Sequence, residues 1–215
     1  MTFTIPHDRA PVLAVALLKG GVGKTTTAIT LANAASYGGT VILADADPMG
    51  SATHWSQLAA DSGRFRSLRF KVIPEASPDL ERRVLRLARS ADMVVIDSPP
   101  PGQLQFARAA IAAADYVVVP VSPERAALAR VGATVDIARE LGKPVRAVLT
   151  MVRGGLAERD ATVAALHSWD VPVFTAELPL AVSVQRCYGH TPAGILARFG
   201  LDLLEEILKE AQPNG

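Results

Sequence analysis

The chain has 215 residues, 49% of them apolar and 5% aromatic, and its formal net charge is +1. That length suits one α/β domain with a core of Ala, Val, Leu and Ile that needs no staples. So even a charge balance excludes a broad basic field, and any nucleic-acid affinity has to come from a local patch, possible only where cations are gathered. The one cysteine, Cys187, excludes an intramolecular disulfide and fits a reducing cytoplasm. Residues 1–11 form an N-terminal extension without the charged, apolar and small-residue pattern of a signal peptide. No apolar run approaches the ~20 residues that span a bilayer.

Residues 12–18 are apolar, residues 19–26 read Lys-Gly-Gly-Val-Gly-Lys-Thr-Thr, and residues 27–35 have helical character. A strand therefore turns through glycines into a helix, which is a phosphate site. Glycines let the backbone curl around an anion, and the helix end presents N–H groups and a partial positive charge. Lys19, Gly20, Gly21, Val22, Gly23, Lys24, Thr25 and Thr26 make up this nucleotide-binding set. Lys24 can reach the outer phosphates, and the Thr25 hydroxyl is placed for Mg²⁺. The ordinary pattern asks for glycine at position 18, where this chain has Leu18, and the chain adds a second lysine, Lys19.

Residues 40–44 read as a buried parallel strand that runs straight into Asp45-Ala46-Asp47-Pro48. Carboxylates there lie on the ligand edge of an open α/β sheet; an Asp-Pro turn or a helix cap is the alternative reading. Residues 70–73 suggest an edge strand ended by Pro74. Leu80, Val84, Leu87, Ala88 and Ala91 recur at helical spacing, with Arg82, Arg83, Arg86 and Arg89 opposite. That basic side is either a solvated face or part of a surface for DNA phosphates. Residues 92–97 form an apolar strand ending in Asp97, the Walker B arrangement in which aspartate helps hold Mg²⁺.

Residues 114–123 form another buried strand that ends in a proline turn. A helix over 126–141 closes at Gly142, and a strand follows over 145–152. A C-terminal helix is expected over 192–211, with 212–215 as a tail. Its apolar face is read as Leu201, Leu204, Ile207 and Leu208, beside Asp202, Glu205, Glu206 and Glu210. An acidic helix is repelled by anionic lipid, so it is expected to pack on its own domain. Alternating strands and helices with no linker or repeat predict one domain over 1–215, a doubly wound, mainly parallel sheet with helices on both faces.

Lys-Gly-Gly-x-Gly-Lys-Thr-Thr resembles the deviant Walker A of the ParA/MinD ATPases, and the whole pattern is similar to the small, ParF-like partition members. Asp45-Ala46-Asp47-Pro48 resembles that family's switch I, with Met49 where glutamine is common. Asp97-Ser98-Pro99-Pro100 resembles its switch II. The resemblance implies a P-loop ATPase that binds ATP with Mg²⁺ and closes as a homodimer. Lys19 then reaches the partner's nucleotide beside Lys24, Asp47 positions the attacking water, and Thr25, Asp45 and Asp97 surround the metal. Met151, beside Thr150 and Arg153, and Pro179, between Leu178 and Leu180, would surround the adenine.

It also implies a ParB-like or other adaptor, nonspecific DNA as a partner of the ATP-bound dimer, and nucleoid association without a membrane. Arg153, Arg159, Arg186 and Arg198 are the candidate DNA contacts. Because the chain begins almost at the P-loop strand, it is expected to lack the N-terminal helix-turn-helix domain of longer ParA proteins. Positioning of a non-DNA cargo and a metabolic P-loop synthetase stand as alternatives. A tyrosine kinase of the same lineage finds little support, because Tyr37, Tyr116 and Tyr188 form no terminal cluster.

Overall fold

Short Val-, Ile- and Leu-rich runs lose their polar alternation when both faces of a strand are covered, and such runs form the middle of this protein. The computed structural model describes residues 3–61, 67–100, 102–153 and 155–213. In chain order the elements are β1 (Phe3–Ile5), β2 (Val12–Val15), α1 (Lys24–Ala35), β3 (Val41–Asp45), α2 (Ser51–Asp61), β4 (Lys71–Pro74), α3 (Leu80–Leu87) and β5 (Met93–Asp97). There follow α4 (Leu104–Ala113), β6 (Tyr116–Val121), α5 (Arg125–Glu140), β7 (Val145–Val152), α6 (Leu156–Ser168), β8 (Val173–Pro179), the single turn α7 (Val182–Gln185), α8 (Ile195–Glu210) and β9 (Ala211–Pro213).

Seven strands form one parallel sheet in the order β4-β3-β5-β2-β6-β7-β8. One face packs Val12, Ala14, Val94 and Ile96 against Leu80, Ile111, Val131 and Leu166 of α3 to α6. The other packs Leu13, Val15, Leu43 and Val95 against Ile29 of α1, Trp55 of α2 and Phe199 of α8. This is the doubly wound α/β fold that the alternating pattern predicts. Strands β2 and β5 are neighbours, yet β2 leaves to α1 on one face and β5 to α4 on the other. Their carboxyl ends therefore flank a crevice of the kind in which open α/β sheets bind ligands.

One expectation, the apolar face of the C-terminal helix, changes in detail. The buried face of α8 is Leu196, Phe199, Gly200, Leu203 and Ile207, while Leu201 and Leu208 are exposed. Both sets have helical spacing, and the glycine decides between them. A Cβ on Gly200 would lie 2.5 Å from the Thr30 carbonyl oxygen, so only glycine lets α8 approach α1 this closely. The acidic side of α8 is also less solvated than its composition suggests. Arg146 at the start of β7 bonds to Glu210 and lies 3.5 Å from Glu206. Glu206 accepts from the Thr175 and Ala176 amides at 2.9 and 2.7 Å, and Glu210 accepts from the Tyr116 hydroxyl at 2.7 Å. Beside this cluster β9 pairs in parallel with β1, a two-stranded sheet that three-residue strands do not announce in sequence.

Candidate functional site

The loop from Leu18 to Gly23 leaves β2 and ends in the left-handed Gly23 (φ 80°), the N-cap of α1, after a second positive φ at Gly21. Left-handed backbone at these positions is what glycine supplies. The result aims the amino end of α1 into the crevice, with the free N–H groups and positive pole of a helix start. Val22 between the glycines is fully buried and ties the loop to the core.

Both lysines are held before any ligand arrives. Lys24 is 8% exposed, and its ammonium donates to the Lys19 carbonyl at 2.9 Å. Burial lowers the Lys24 pKa, and the nearby charges of Asp97 and Asp47 oppose that shift. Lys19 lies 3.1 Å from Glu124, the residue before α5, within its own subunit. Glu124 is a contact that motif reasoning missed, because it stands 105 residues away in sequence.

Asp45 and Asp97 are register partners at the ends of β3 and β5. Asp45 is buried and satisfied: its carboxylate accepts from the Thr53 amide at 2.8 Å, the Thr53 hydroxyl at 2.7 Å and the Asp47 amide at 3.3 Å. It therefore organises the loop between β3 and α2, which is the capping reading of this segment. Burial still raises its pKa. Asp97 is fully buried, and neither carboxylate oxygen has a hydrogen-bond partner of ordinary geometry. Burial pushes its pKa up to about 7, opposed by the Thr25 hydroxyl and Lys24 and reinforced by Asp45 and Asp47.

A buried anion without a partner is costly unless a cation answers it. A carboxylate beside a threonine hydroxyl offers the one or two protein oxygens that Mg²⁺ takes when phosphates and water complete its shell. Thr25 and Asp97 thus fit magnesium. Among the described residues there is no cluster of His, Cys, Asp and Glu of the all-protein kind. Asp47, half-buried, accepts from the Met49 amide at 2.9 Å in a turn at the mouth of the crevice.

The helix after this loop is clamped from the far side of the chain. Trp55 of α2 donates to the His190 carbonyl at 2.8 Å and packs on the Tyr188 ring at 5.0 Å between centroids. The Tyr188 hydroxyl lies 2.9 Å from His54 Nδ1.

Toward β7 and β8, Met151 and Pro179 stand at neighbouring strand ends, where Val152 pairs with Pro179 and the register slips. Met151 has φ 55°, uncommon for a side-chain-bearing residue. Thr150 faces away from them: fully buried, it donates its hydroxyl to the Val22 carbonyl at 2.9 Å. Thr134 of α5 reaches the same loop, accepting from the Leu18 amide at 3.2 Å. A cavity of about 1070 Å³ between the starts of α5 and α6 is lined by Ser122, Glu124, Arg125, Met151 and Arg153. Of the candidate DNA arginines, Arg159 pairs with Glu177 and Asp160, and Arg198 with Asp202. Arg153 and Arg186 are exposed and make no ion pair among the described residues. No helix among the described residues is long and apolar enough to cross a membrane.

Residues 13–191 match the family described as the CobQ/CobB/MinD/ParA nucleotide binding domain. The chain is 36% identical over 167 residues to Maintenance of carboxysome distribution protein A of Gloeobacter kilaueensis, covering 77% of this chain and 74% of that one. It is 39% identical over 142 residues to the Chromosome-partitioning ATPase Soj of Thermus thermophilus, covering 54% and 56% of the two chains. The MinD cell division protein of Aquifex aeolicus shares the fold, with a TM-score of 0.76 at 17% identity over 96% of this chain and 100% of that one.

Proposed function

This chain belongs to the CobQ/CobB/MinD/ParA nucleotide-binding family, and from that premise we propose that it is a Mg²⁺-dependent ATPase working as an ATP-driven dimer switch that segregates DNA. The observation that carries the reading is the site's charge arrangement: Lys24 on the glycine loop acts on the fully buried Asp97, whose carboxylate oxygens have no hydrogen-bond partner of ordinary geometry, while Lys19 on the same loop is held by Glu124. Lys24 and the loop amides of residues 20–26 bind the phosphates, and Met151 and Pro179 flank the base. Thr25 and Asp97 hold magnesium, which neutralises phosphate charge when bound, and Asp45 keeps the adjoining loop in place. Asp47 orients the attacking water. Lys24 stabilises the charge that develops on the transferred group, joined by Lys19 of the partner subunit.

In this reading Lys19 exchanges its own Glu124 for the partner's nucleotide as two subunits close. The paired subunits then bind duplex DNA without sequence preference, and Arg153 and Arg186 are better phosphate contacts than the ion-paired Arg159 and Arg198. A ParB-like adaptor stimulates turnover. Sizing the chain with ADP and with ATP, with and without random duplex DNA, tests the switch. An ATP-specific dimer whose DNA binding falls with salt is expected. A single size throughout overturns it, as does DNA binding that is equal with ADP.

The likeness to a carboxysome distribution protein favours a second reading, in which the same cycle positions a cytoplasmic cargo through a different adaptor. An adaptor gene beside centromere-like repeats points to segregation, and one beside genes for a cargo shell points to positioning. A related synthetase would instead form product only with its own substrate and would not need Lys19. Hydrolysis lost in Lys19→Ala with ATP binding kept separates it from the switch.

A further inference from the structure

We infer that Thr150 is a positioning residue of the phosphate loop, holding the Val22–Gly23 peptide in its anion-binding orientation, and does not read the base. The inference rests on the nucleotide-binding reading of the loop.

Thr150 stands at the end of β7 beside the base region, where a polar side chain is the natural candidate for base recognition. Its hydroxyl has a different use. It is fully buried and gives its one proton to the Val22 carbonyl at 2.9 Å. Its methyl and Cβ carbons lie 3.9 and 3.8 Å from where a Cβ on Gly23 would stand, so the side chain backs the loop with carbon as well.

A trans peptide points its C=O and N–H in opposite directions. Holding the Val22 carbonyl toward β7 therefore turns the Gly23 N–H away from β7, toward the hollow of the loop. The Val22 side chain is locked in the core, and Gly23 is left-handed at φ 80°. A peptide between a fixed side chain and a glycine has one freedom left, rotation of its plane, and the Thr150 hydroxyl removes it. Thr134 does the complementary job at the loop's start, accepting from the Leu18 amide and donating to the Arg130 carbonyl, both at 3.2 Å. The loop is thus braced by one hydroxyl on a strand and one on a helix, both outside the phosphate-binding motif.

Binding of ATP, GTP and inorganic tripolyphosphate, each with excess Mg²⁺, to the full chain and its Thr150→Val and Thr150→Ser variants tests this. A loop brace predicts that valine, the same shape without the hydroxyl, weakens all three ligands by a similar factor of about ten, the effect of one lost hydrogen bond. Serine restores all three to within about twofold. If valine weakens ATP alone, Thr150 reads the base and the inference is overturned; unchanged binding of all three also overturns it. If the valine variant does not fold, Thr150→Ala carries the same expectation. A parent chain that binds none of the three ligands removes the nucleotide reading itself, a different failure from a parent that binds and a valine variant that does not differ.

Discussion

At the amino edge of the sheet, Arg146, Glu206, Glu210 and Tyr116 form a cluster in which both carboxylates meet a guanidinium or a hydrogen-bond donor. At the carboxyl edge, Asp97 is more deeply buried and has no hydrogen-bond partner of ordinary geometry, and the neighbouring Ser98 and Ser122 hydroxyls are also unpartnered. The same fold thus treats buried polarity in two ways. At the first edge side chains of the chain itself meet both carboxylates, Arg146 Nε alone of the cluster lacking a hydrogen bond where the guanidinium lies over the Phe174 ring, and the cluster serves stability. The second leaves the burial of Asp97 only partly offset by Thr25 and Lys24, at a cost to the ligand-free protein, and a bound cation would remove that cost.

The difference can be broken most forcefully from the amino edge. Arg146→Ala leaves two carboxylates without their cation and is expected to destabilise the chain by about 3–5 kcal/mol in thermal or urea unfolding. ATP affinity of the folded fraction should be unchanged, and a variant as stable as its parent would erase the contrast. Asp97→Asn acts in the opposite direction, stabilising the ligand-free chain by about 1–3 kcal/mol because the cost of burying the carboxylate outweighs what Thr25 and Lys24 return. It should also abolish Mg²⁺-dependent hydrolysis, and a loss of ligand-free stability would show that Asp97 is already satisfied.

Thr53→Val takes the hydroxyl donor from Asp45 and so makes the carboxyl edge hold a second poorly satisfied carboxylate. A loss of about 1–2 kcal/mol is expected in the same unfolding measurement. Glu124→Gln is the mildest. The Lys19 pair is partly exposed, with Glu124 side chain 60% accessible, so stability should move by no more than about 1 kcal/mol. Its informative readout is sizing: releasing Lys19 should let the ATP-bound dimer form at lower protein concentration. No shift would mean that Glu124 does not compete with the partner.

What the sequence makes legible follows the range of each interaction. Gly20 to Thr26 and the strand ending in Asp97 are local patterns whose spacing carries their geometry, and the structure brings Lys24, Thr25 and Asp97 to one crevice. The helix over 126–141 and the strand over 145–152 fall within a residue of α5 and β7 because their periodicity and the Gly142 stop are local as well. The Lys19 contact with Glu124, the Val22 contact with Thr150 and the Arg146 cluster join residues 60 to 128 positions apart, and nothing near either partner announces the other. The face of α8 was ambiguous for another reason. Two apolar stripes had equal spacing, and the choice between them lay in Gly200 meeting the backbone of α1, a contact that hydropathy does not encode.

The clamp on α2 has a practical consequence. On the helix that follows the Asp47 loop, Trp55 is 2% exposed, packed at a tilt against Tyr188 and bonded to the His190 carbonyl. The chain's other tryptophan, Trp169, is 41% exposed at the end of α6. A Trp169→Phe variant would therefore leave one indole as a built-in optical probe. The colour and intensity of its emission would report, without any attached dye, when that loop shifts against the segment that holds it.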